Sequence, residues 1–365
     1  MRKALFLLLL VLFTSTLGAR ISVTVTPLQG FPSNEKGIEQ GVSACFAGTI
    51  GDTLLMAGGC NFPEVPAAEG GKKRYYRGIY AATLQEGTKL NWKQVGLLPA
   101  PAAYGVSLTT DDGIICIGGN NEKESLCSVL KIKLINGKAV LENLPSLPVP
   151  MDNFTGSIRE GRIDVYAGNE WFSLNLTALN EGWQKKESFP SRRVQPVSGY
   201  CGEKFCVWGG FSPKSVDQEA ILHLDGIRMG KKTARIKAPV VAGDKVFLGG
   251  AASVYLPEKG TVVIGGVNKD IFLNALNHPT EDYMLHPAEW YRFNPYMLLF
   301  RKGRWHLLGT SEHAARAGAT LATCRNEIYI IGGELKPGIR VPMVSRVAFD
   351  TPSSLAKEKQ SNNNK

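Results

Sequence analysis

Short apolar runs recur along the chain, and most end in a glycine doublet. LLMAGG ends at Gly59, IICIGG at Gly119, FCVWGG at Gly210, VVIGG at Gly266 and IYIIGG at Gly333, with a degenerate copy, IDVYAGN, at Gly168-Asn169. Apolar runs this short, bounded by glycine and turn residues, predict buried strands rather than helices. A small-residue strand and a turn precede the doublets, as in GVSACFAGTIGD, YGVSLTTDDG and AGATLATCRN. Several of these follow a Trp-bearing or apolar segment that runs into proline: NWKQVGLLPAP, LENLPSLPVP and GWQKKESFPS. The unit is therefore a small-residue strand, a turn, an apolar strand ending in the doublet, a loop, a third strand and a fourth Trp/Pro strand. Four antiparallel strands per unit make a propeller blade.

Measured at the second position of each doublet, the intervals are 60, 50, 41, 56 and 67 residues. That spacing with a fixed signature marks a repeat architecture. Gly249-Gly250 falls out of phase and reads as the start of a first strand, GGAASVYL. Six positions predict six blades. VSRVAFD near the C-terminus supplies the third strand of the last blade, and ISVTVTPL near the N-terminus supplies its fourth. Closing the ring with both ends removes the open edge that an unclosed propeller would present. The predicted fold is all-β, a six-bladed β-propeller over residues 20–350 closed by its N- and C-terminal strands.

The flanks fall outside that pattern. Arg2 and Lys3, the apolar run Ala4–Phe13 and the small residues around Ala19 predict a cleavable secretory leader over 1–19, hence a periplasmic or secreted protein. That run is too short to span a bilayer, and no membrane association is expected after cleavage. Residues 351–365 form a polar tail expected to be disordered.

The formal net charge is +10. Arg2 and Lys3 hold two of these charges, and three lysines less Glu358 hold two more in the tail, leaving about +6 for the body. This excess suits a small anionic ligand, and no Lys/Arg stripe with interleaved aromatics points to nucleic acid. Of seven cysteines, Cys201 and Cys206 flank a short turn. They are read either as a cross-strand disulfide or as two buried thiols. No spacing matches a zinc site.

Two stretches after doublets are long: Cys60 to Gly78, and Val267 to about Pro295. Ile271, Phe272, Ala275 and Leu276 have helical spacing, and Pro287 is placed to open a second short helix. Long loops in a compact domain are commonly lids. Both are expected to cap the same end of the ring, because both follow a doublet. The sharpest chemistry lies in EIYIIGGELKPGIR, residues 327–340. Pro337-Gly338 suits the centre of a type II turn, which folds the loop so that Glu334 and Arg340 face one cavity. A carboxylate beside a guanidinium is a candidate acid/base and anion-binding pair, with a solvated surface ion pair as the plain alternative.

The doublets with Trp and Pro at these offsets resemble kelch repeats. More specifically, GGELKPGIR at 332–340, GGVNKDIF at 265–272 and YGVSLTTDDGIICIGG at 104–119 resemble the N-acetylneuraminate epimerase (sialic acid mutarotase) family, over nearly the whole chain after the leader. In better-known members the GE-x-KPG-x-R blade lies mid-chain. Here it comes last, which resembles a cyclically permuted branch. The resemblance implies a kelch-type propeller that interconverts the α and β anomers of sialic acid. It implies Glu334 as acid/base and Arg340 as substrate-binding. Asn268 is the next candidate ligand residue, against a turn-stabilising asparagine. Asn61, Arg74 and Arg77 are further ones, against solvated loop residues. The chemistry requires no metal or organic cofactor. The implied partner is a small anionic sugar, with a homodimer as the assembly to consider.

The rival reading is a non-enzymatic kelch module binding a glycan or protein, since fold does not fix function. A sialidase would need S-x-D-x-G-x-T-W boxes and an arginine triad, and no such box is found. A copper oxidase would need a Tyr/His ligand set that His223, His278, His286, His306 and His313 do not suggest.

Overall fold

The computed structural model describes residues 21–85, 87–230 and 233–350. The expected leader and polar tail both lie outside these. The chain is almost entirely strand, arranged as six sheets around an axis. Blade I comprises Phe46–Ile50, Thr53–Ala57, Gly78–Thr83 and Lys93–Leu97, hydrogen-bonded in that order. Blade II comprises Val106–Thr110, Gly113–Ile117, Val129–Ile135 and Lys138–Asn143. Blade IV (Val197–Cys201, Lys204–Trp208, Asp225–Arg228, Ala234–Lys237) and blade V (Ala252–Leu256, Gly260–Ile264, Tyr296–Arg301, Arg304–Thr310) repeat the plan.

Blade VI is closed across the termini. Its strands run Thr320–Cys324, Glu327–Ile331, Val344–Phe349 and then Val23–Leu28. Val23 lies opposite Phe349 and Leu28 opposite Val344, in unbroken antiparallel register. The earliest described strand thus completes the last blade, as the pattern predicts.

The apolar runs are continuous rather than alternating because both faces of each blade are covered. Ile328 and Ile330 face blade V, in a cluster with Val262, Ile264 and Leu299. The intervening Tyr329 and Ile331 face blade I, in a cluster with Leu54, Met56 and Tyr80. The same division holds in blade II, where Ile114 and Cys116 pack on Phe46 and Leu55, and Ile115 and Ile117 on Ile163 and Val165. Tyr166 and Phe189 of blade III meet Tyr200 and Phe205, while Cys206 and Trp208 meet Val263 and Phe300. The core is six seams between blades, so each blade is stable only against its neighbours.

Two expectations need correction. Cys201 lies opposite Lys204 and Cys206 opposite Gly199, so the turn is the two residues Gly202-Glu203. The cysteines are diagonal rather than directly opposed, and all seven are free thiols. Blade III also departs from the repeat. It holds three strands, Thr155–Arg159, Arg162–Asn175 and Gln184–Arg193. Its AGN segment lacks the second glycine and carries no loop: Arg162–Asn175 runs through Gly168 (φ 60°), and Trp171 Nε1 reaches back 2.9 Å to Asp164.

Candidate active site

The doublets build the end of the ring where chemistry can occur. Both glycines of the last doublet are left-handed, Gly332 at φ 58° and Gly333 at φ 101°. A Cβ on Gly332 would meet the Val42 carbonyl oxygen at 2.2 Å, so the chain can turn there only without a side chain. The turn delivers Glu334 to Ala317, with hydrogen bonds from Ala317 N to Glu334 O (3.1 Å) and from Glu334 N to Ala317 O (2.7 Å). Other blades do the same with Cys60 on Ser43, Asn120 on Ala103 and Phe211 on Val194. Glu334 is thus the carboxylate at a position that blades I, II, IV and V fill with Cys60, Asn120, Phe211 and Val267.

A second ring lies just inside. Ala44, Tyr104, Asn153, Gln195, Gly250 and Gly318 each stand two residues before a first strand, and all six have φ between 50° and 68°. Their backbones link blade to blade around the axis. Ala44 N donates to Gly318 O (2.7 Å), Tyr104 N to Ala44 O (3.0 Å), Asn153 N to Tyr104 O (2.9 Å), Gln195 N to Asn153 O (2.8 Å) and Gly318 N to Gly250 O (2.9 Å). The side chains are unequal. Ala44, Gly250 and Gly318 leave space on one side, while Tyr104, Asn153 and Gln195 furnish polar groups on the other.

The space is a cavity of about 460 Å³ along the axis. At its Glu334 end it is bounded by Tyr104, Asn153, Gln195, Tyr283, Glu334 and Pro337, and small-residue first strands line its depth. That is a volume for a small molecule with a few convergent polar groups. Among the described residues no Lys or Arg is part of the lining.

The hairpin 334–340 forms as its turn chemistry predicts. Gly338 sits at φ 84°, and Glu334 pairs directly with Arg340 across Glu334–Lys336 and Ile339–Arg340. Arg340 Nη2 lies 2.9 Å from Glu334 Oε1, with the two side chains 3% and 19% exposed. Arg340 Nε donates to Ser43 Oγ (3.1 Å), and the Ser43 hydroxyl donates to Glu334 Oε1 (3.4 Å). The guanidinium also lies over the Phe62 ring, 4.8 Å from its centroid. Burial is the largest single influence and works against the charge of Arg340, but the Glu334 carboxylate, Tyr104 and Cys60 together outweigh it and raise the guanidinium above its usual range. Arg340 therefore stands behind Glu334 rather than open in the cavity. Its buried Nη1, which has no hydrogen-bond partner, is the donor left over.

The remaining sequence candidates are engaged elsewhere. Asn61 is buried, donates to Gly37 O (2.7 Å) and Gly41 O (2.8 Å), and accepts from the Tyr76 hydroxyl (2.8 Å). Its amide is consumed in holding the chain ahead of blade I. Arg74 donates to Lys36 O (3.1 Å) and pairs with Glu64 (2.6 Å), and Arg77 is exposed; neither lines the cavity. Asn268 caps the helix Lys269–Asn277, its side chain accepting from Asp270 N and Ile271 N. That is the standard task of an N-cap asparagine. Asn61, Arg74 and Asn268 thus have nearer backbone or carboxylate partners, while the Arg77 side chain is exposed and apart from the cavity lining.

Both long segments lie over this end. The first contributes Phe62 to Arg340 and packs Ala67 beneath Gly338, where a Cβ on the glycine would come within 2.7 Å of the Ala67 Cβ. The second contributes the helix and a 3-10 turn, Ala288–Tyr291, preceded by Pro287. Lys336 Nζ ties the hairpin to it by donating to His286 O (2.7 Å) and Met284 O (3.2 Å). Ser43, Tyr104 and Lys73 went unseen in the sequence reading. For Tyr104 a signal existed: aligned on the doublets, it stands fifteen residues before Gly119, where other blades carry Ala44 or Gly318.

The buried pair has a measurable consequence. Arg340→Ala strands the Glu334 carboxylate, and breaking such a pair from one side costs about 3–5 kcal/mol. Adding Glu334→Gln removes the stranded charge and should recover part of the loss. A urea-melt double-mutant cycle reads it, with an expected coupling of roughly 1–3 kcal/mol. Additive losses would mean the two residues do not interact.

Comparison with known proteins agrees with this architecture. The family model for N-acetylneuraminate epimerase matches residues 14–141 and 144–362. Curated N-acetylneuraminate epimerases from Salmonella typhi and Salmonella enteritidis are each 28% identical over 227 residues, 57% of this chain and 58% of theirs. One from Yersinia pestis is 28% identical over 224 residues, 56% of this chain and 57% of its own. The chain thus spans somewhat over half the length of the curated relatives it matches. The solved structure of YjhT superposes with a TM-score of 0.59 at 12% identity, covering 89% of this chain and 99% of that one, a likeness of fold. With the family model covering nearly all of its length, the six-bladed chain belongs to the N-acetylneuraminate epimerase family.

Proposed function

We propose that this protein is a mutarotase that interconverts the α and β anomers of N-acetylneuraminate by opening and reclosing the pyranose ring. The observation that carries the reading is Glu334. It is a half-buried carboxylate that lines a cavity of small-molecule size and is fixed from behind by Arg340 and Ser43. Family membership supports sialic acid as the substrate class.

Mutarotation needs a base for the anomeric hydroxyl proton and an acid for the ring oxygen. It proceeds unaided in water, so positioned acid–base groups, worth about 10²–10⁴-fold, match the size of the task. Glu334 is the base. Arg340 and Ser43 hold one of its oxygens, which leaves the other to face the cavity. The sugar carboxylate is drawn by the positive excess of the body. Arg340, buried behind Glu334, holds the Glu334 carboxylate rather than meeting the sugar directly. Asn153 and Gln195, joined by a hydrogen bond from Gln195 Nε2 to Asn153 Oδ1 (3.1 Å), suit the hydroxyl and amide groups of such a sugar. An exported location fits the leader expected over 1–19, and a permuted blade order would account for a collinear match that stops at 57% of the chain.

A substrate panel tests the reading. Anomer exchange should be accelerated for N-acetylneuraminate and much less for glucose or galactose. Acceleration for the neutral hexoses alone would keep a mutarotase and discard the substrate. Acceleration for none would favour a glycan- or protein-binding propeller.

A further inference from the structure

Resting on the mutarotase reading, we propose that Tyr104, hydrogen-bonded by Lys73 of the first long loop, is the acid partner of Glu334 that protonates the ring oxygen. Tyr104 lines the same cavity as Glu334. It occupies the inner ring at φ 62°. That left-handed conformation is common to all six positions, but an aromatic side chain there is costly, and outliers of this kind gather at working sites. Among the six only this position is aromatic.

Lys73 decides what the hydroxyl can do. Its ammonium lies 3.2 Å from the Tyr104 hydroxyl and 4.8 Å from the centroid of the same ring. Phe62 and Tyr75 flank it, each with its centroid 5.9 Å away. Among the described residues no carboxylate lies within ion-pair distance of Lys73. An ammonium has donors and no acceptor, so the Tyr104 oxygen must accept from Lys73. The Tyr104 proton is then available to another acceptor, and the residue lines the cavity that Glu334 lines. Burial first, then the neighbouring Cys60 and Glu334, push the hydroxyl well above the ordinary tyrosine range, against the opposing Arg340. The group therefore carries its proton at neutral pH.

The step balances with these two groups. Glu334 takes the anomeric hydroxyl proton as the ring C–O bond breaks and its electron pair leaves on the ring oxygen. Tyr104 gives its proton to that oxygen. The result is the open-chain ketone, a protonated Glu334 and a tyrosinate held by the Lys73 ammonium. After the carbonyl rotates, the freed hydroxyl oxygen attacks its other face and returns its proton to the tyrosinate. Glu334 then protonates the former carbonyl oxygen, and both residues end as they began. Lys73 acts through Tyr104 and is a positioning residue.

The test uses the full chain with N-acetylneuraminate. Tyr104→Phe keeps the ring and the Lys73 cage and deletes only the hydroxyl. Saturated exchange should fall at least about thirtyfold while the dissociation constant for the sugar stays within about threefold. Lys73→Met should fall at least about tenfold, and Lys73→Arg, which keeps a donor, should recover most of the loss. Parent-like exchange in Tyr104→Phe with exchange lost in Glu334→Gln would overturn the Tyr104 assignment and leave the mutarotase reading intact. So would binding lost in step with rate, or equal losses in Lys73→Met and Lys73→Arg. A parent protein that fails to accelerate exchange at all would remove both.

Discussion

Glu334→Gln should slow anomer exchange of N-acetylneuraminate at least about a hundredfold, the lower end of what a positioned acid–base group contributes. The substitution keeps the shape of the side chain and one carbonyl oxygen for the Ser43 hydroxyl. It removes the charge that faces Arg340 and the site that accepts the anomeric proton. Sugar binding should survive, because the cavity walls from Tyr104 to Gln195 are untouched. The buried Arg340 guanidinium loses its counter-charge, which costs stability, so the exchange rate is compared on protein that a urea melt shows to be folded. Exchange measured by proton NMR with binding measured by calorimetry separates the outcomes. Unchanged exchange would move the protein to the binding-module reading, and lost binding would make Glu334 a ligand rather than a base.

The second large effect concerns closure. Deleting residues 21–28 removes the outer strand of blade VI, which pairs with Val344–Phe349 at six successive positions. Leu28 packs in the seam between blades VI and I, and Ile21, Val23 and Val25 pack in the seam between V and VI. At roughly 1.5 kcal/mol for each of these four side chains, apolar burial alone accounts for about 6 kcal/mol. That rivals the whole stability of an ordinary domain, about 5–15 kcal/mol. The truncated chain would also expose Val344–Phe349 as an open apolar edge. It should aggregate or melt far below the parent. Melting together with the parent would mean the ring closes without this strand.

These effects show where the sequence speaks plainly. The hairpin 332–340 was legible because its causes are local. Two glycines suit left-handed backbone, Pro-Gly suits the turn, and the resulting pairing puts residue 334 opposite residue 340. The blades were legible because both faces of each sheet are covered, which leaves continuous apolar runs at a readable spacing. The helix after Asn268 shows in its periodicity, and of the two readings of the asparagine before it, ligand or turn-stabilising residue, its place at the helix start fits the second. Cys201 and Cys206 are not opposed because the tight turn at Gly202-Glu203 puts Lys204, two residues before Cys206, opposite Cys201, which flanking residues alone do not reveal.

What the chain could not show is convergence. Ser43 lies 291 residues from Glu334 and still shares a hydrogen bond with it. Lys73 and Tyr104 belong to different blades and meet only because blades I and II pack side by side. Asn61 and Arg74 looked available as isolated polar residues, and folding gave them carbonyl and carboxylate partners close by. Side chains set by neighbours within a few residues can be read directly; those set by the ring as a whole require the structure.

The central claim is most directly tested by an anomer-resolved proton NMR exchange measurement on N-acetylneuraminate, with the purified protein present in catalytic amount at neutral pH. Exchange between the α and β signals is expected well above the uncatalysed rate, rising in proportion to protein concentration, at an unchanged equilibrium ratio. Exchange at the rate of the sugar alone, at every protein concentration, would contradict it.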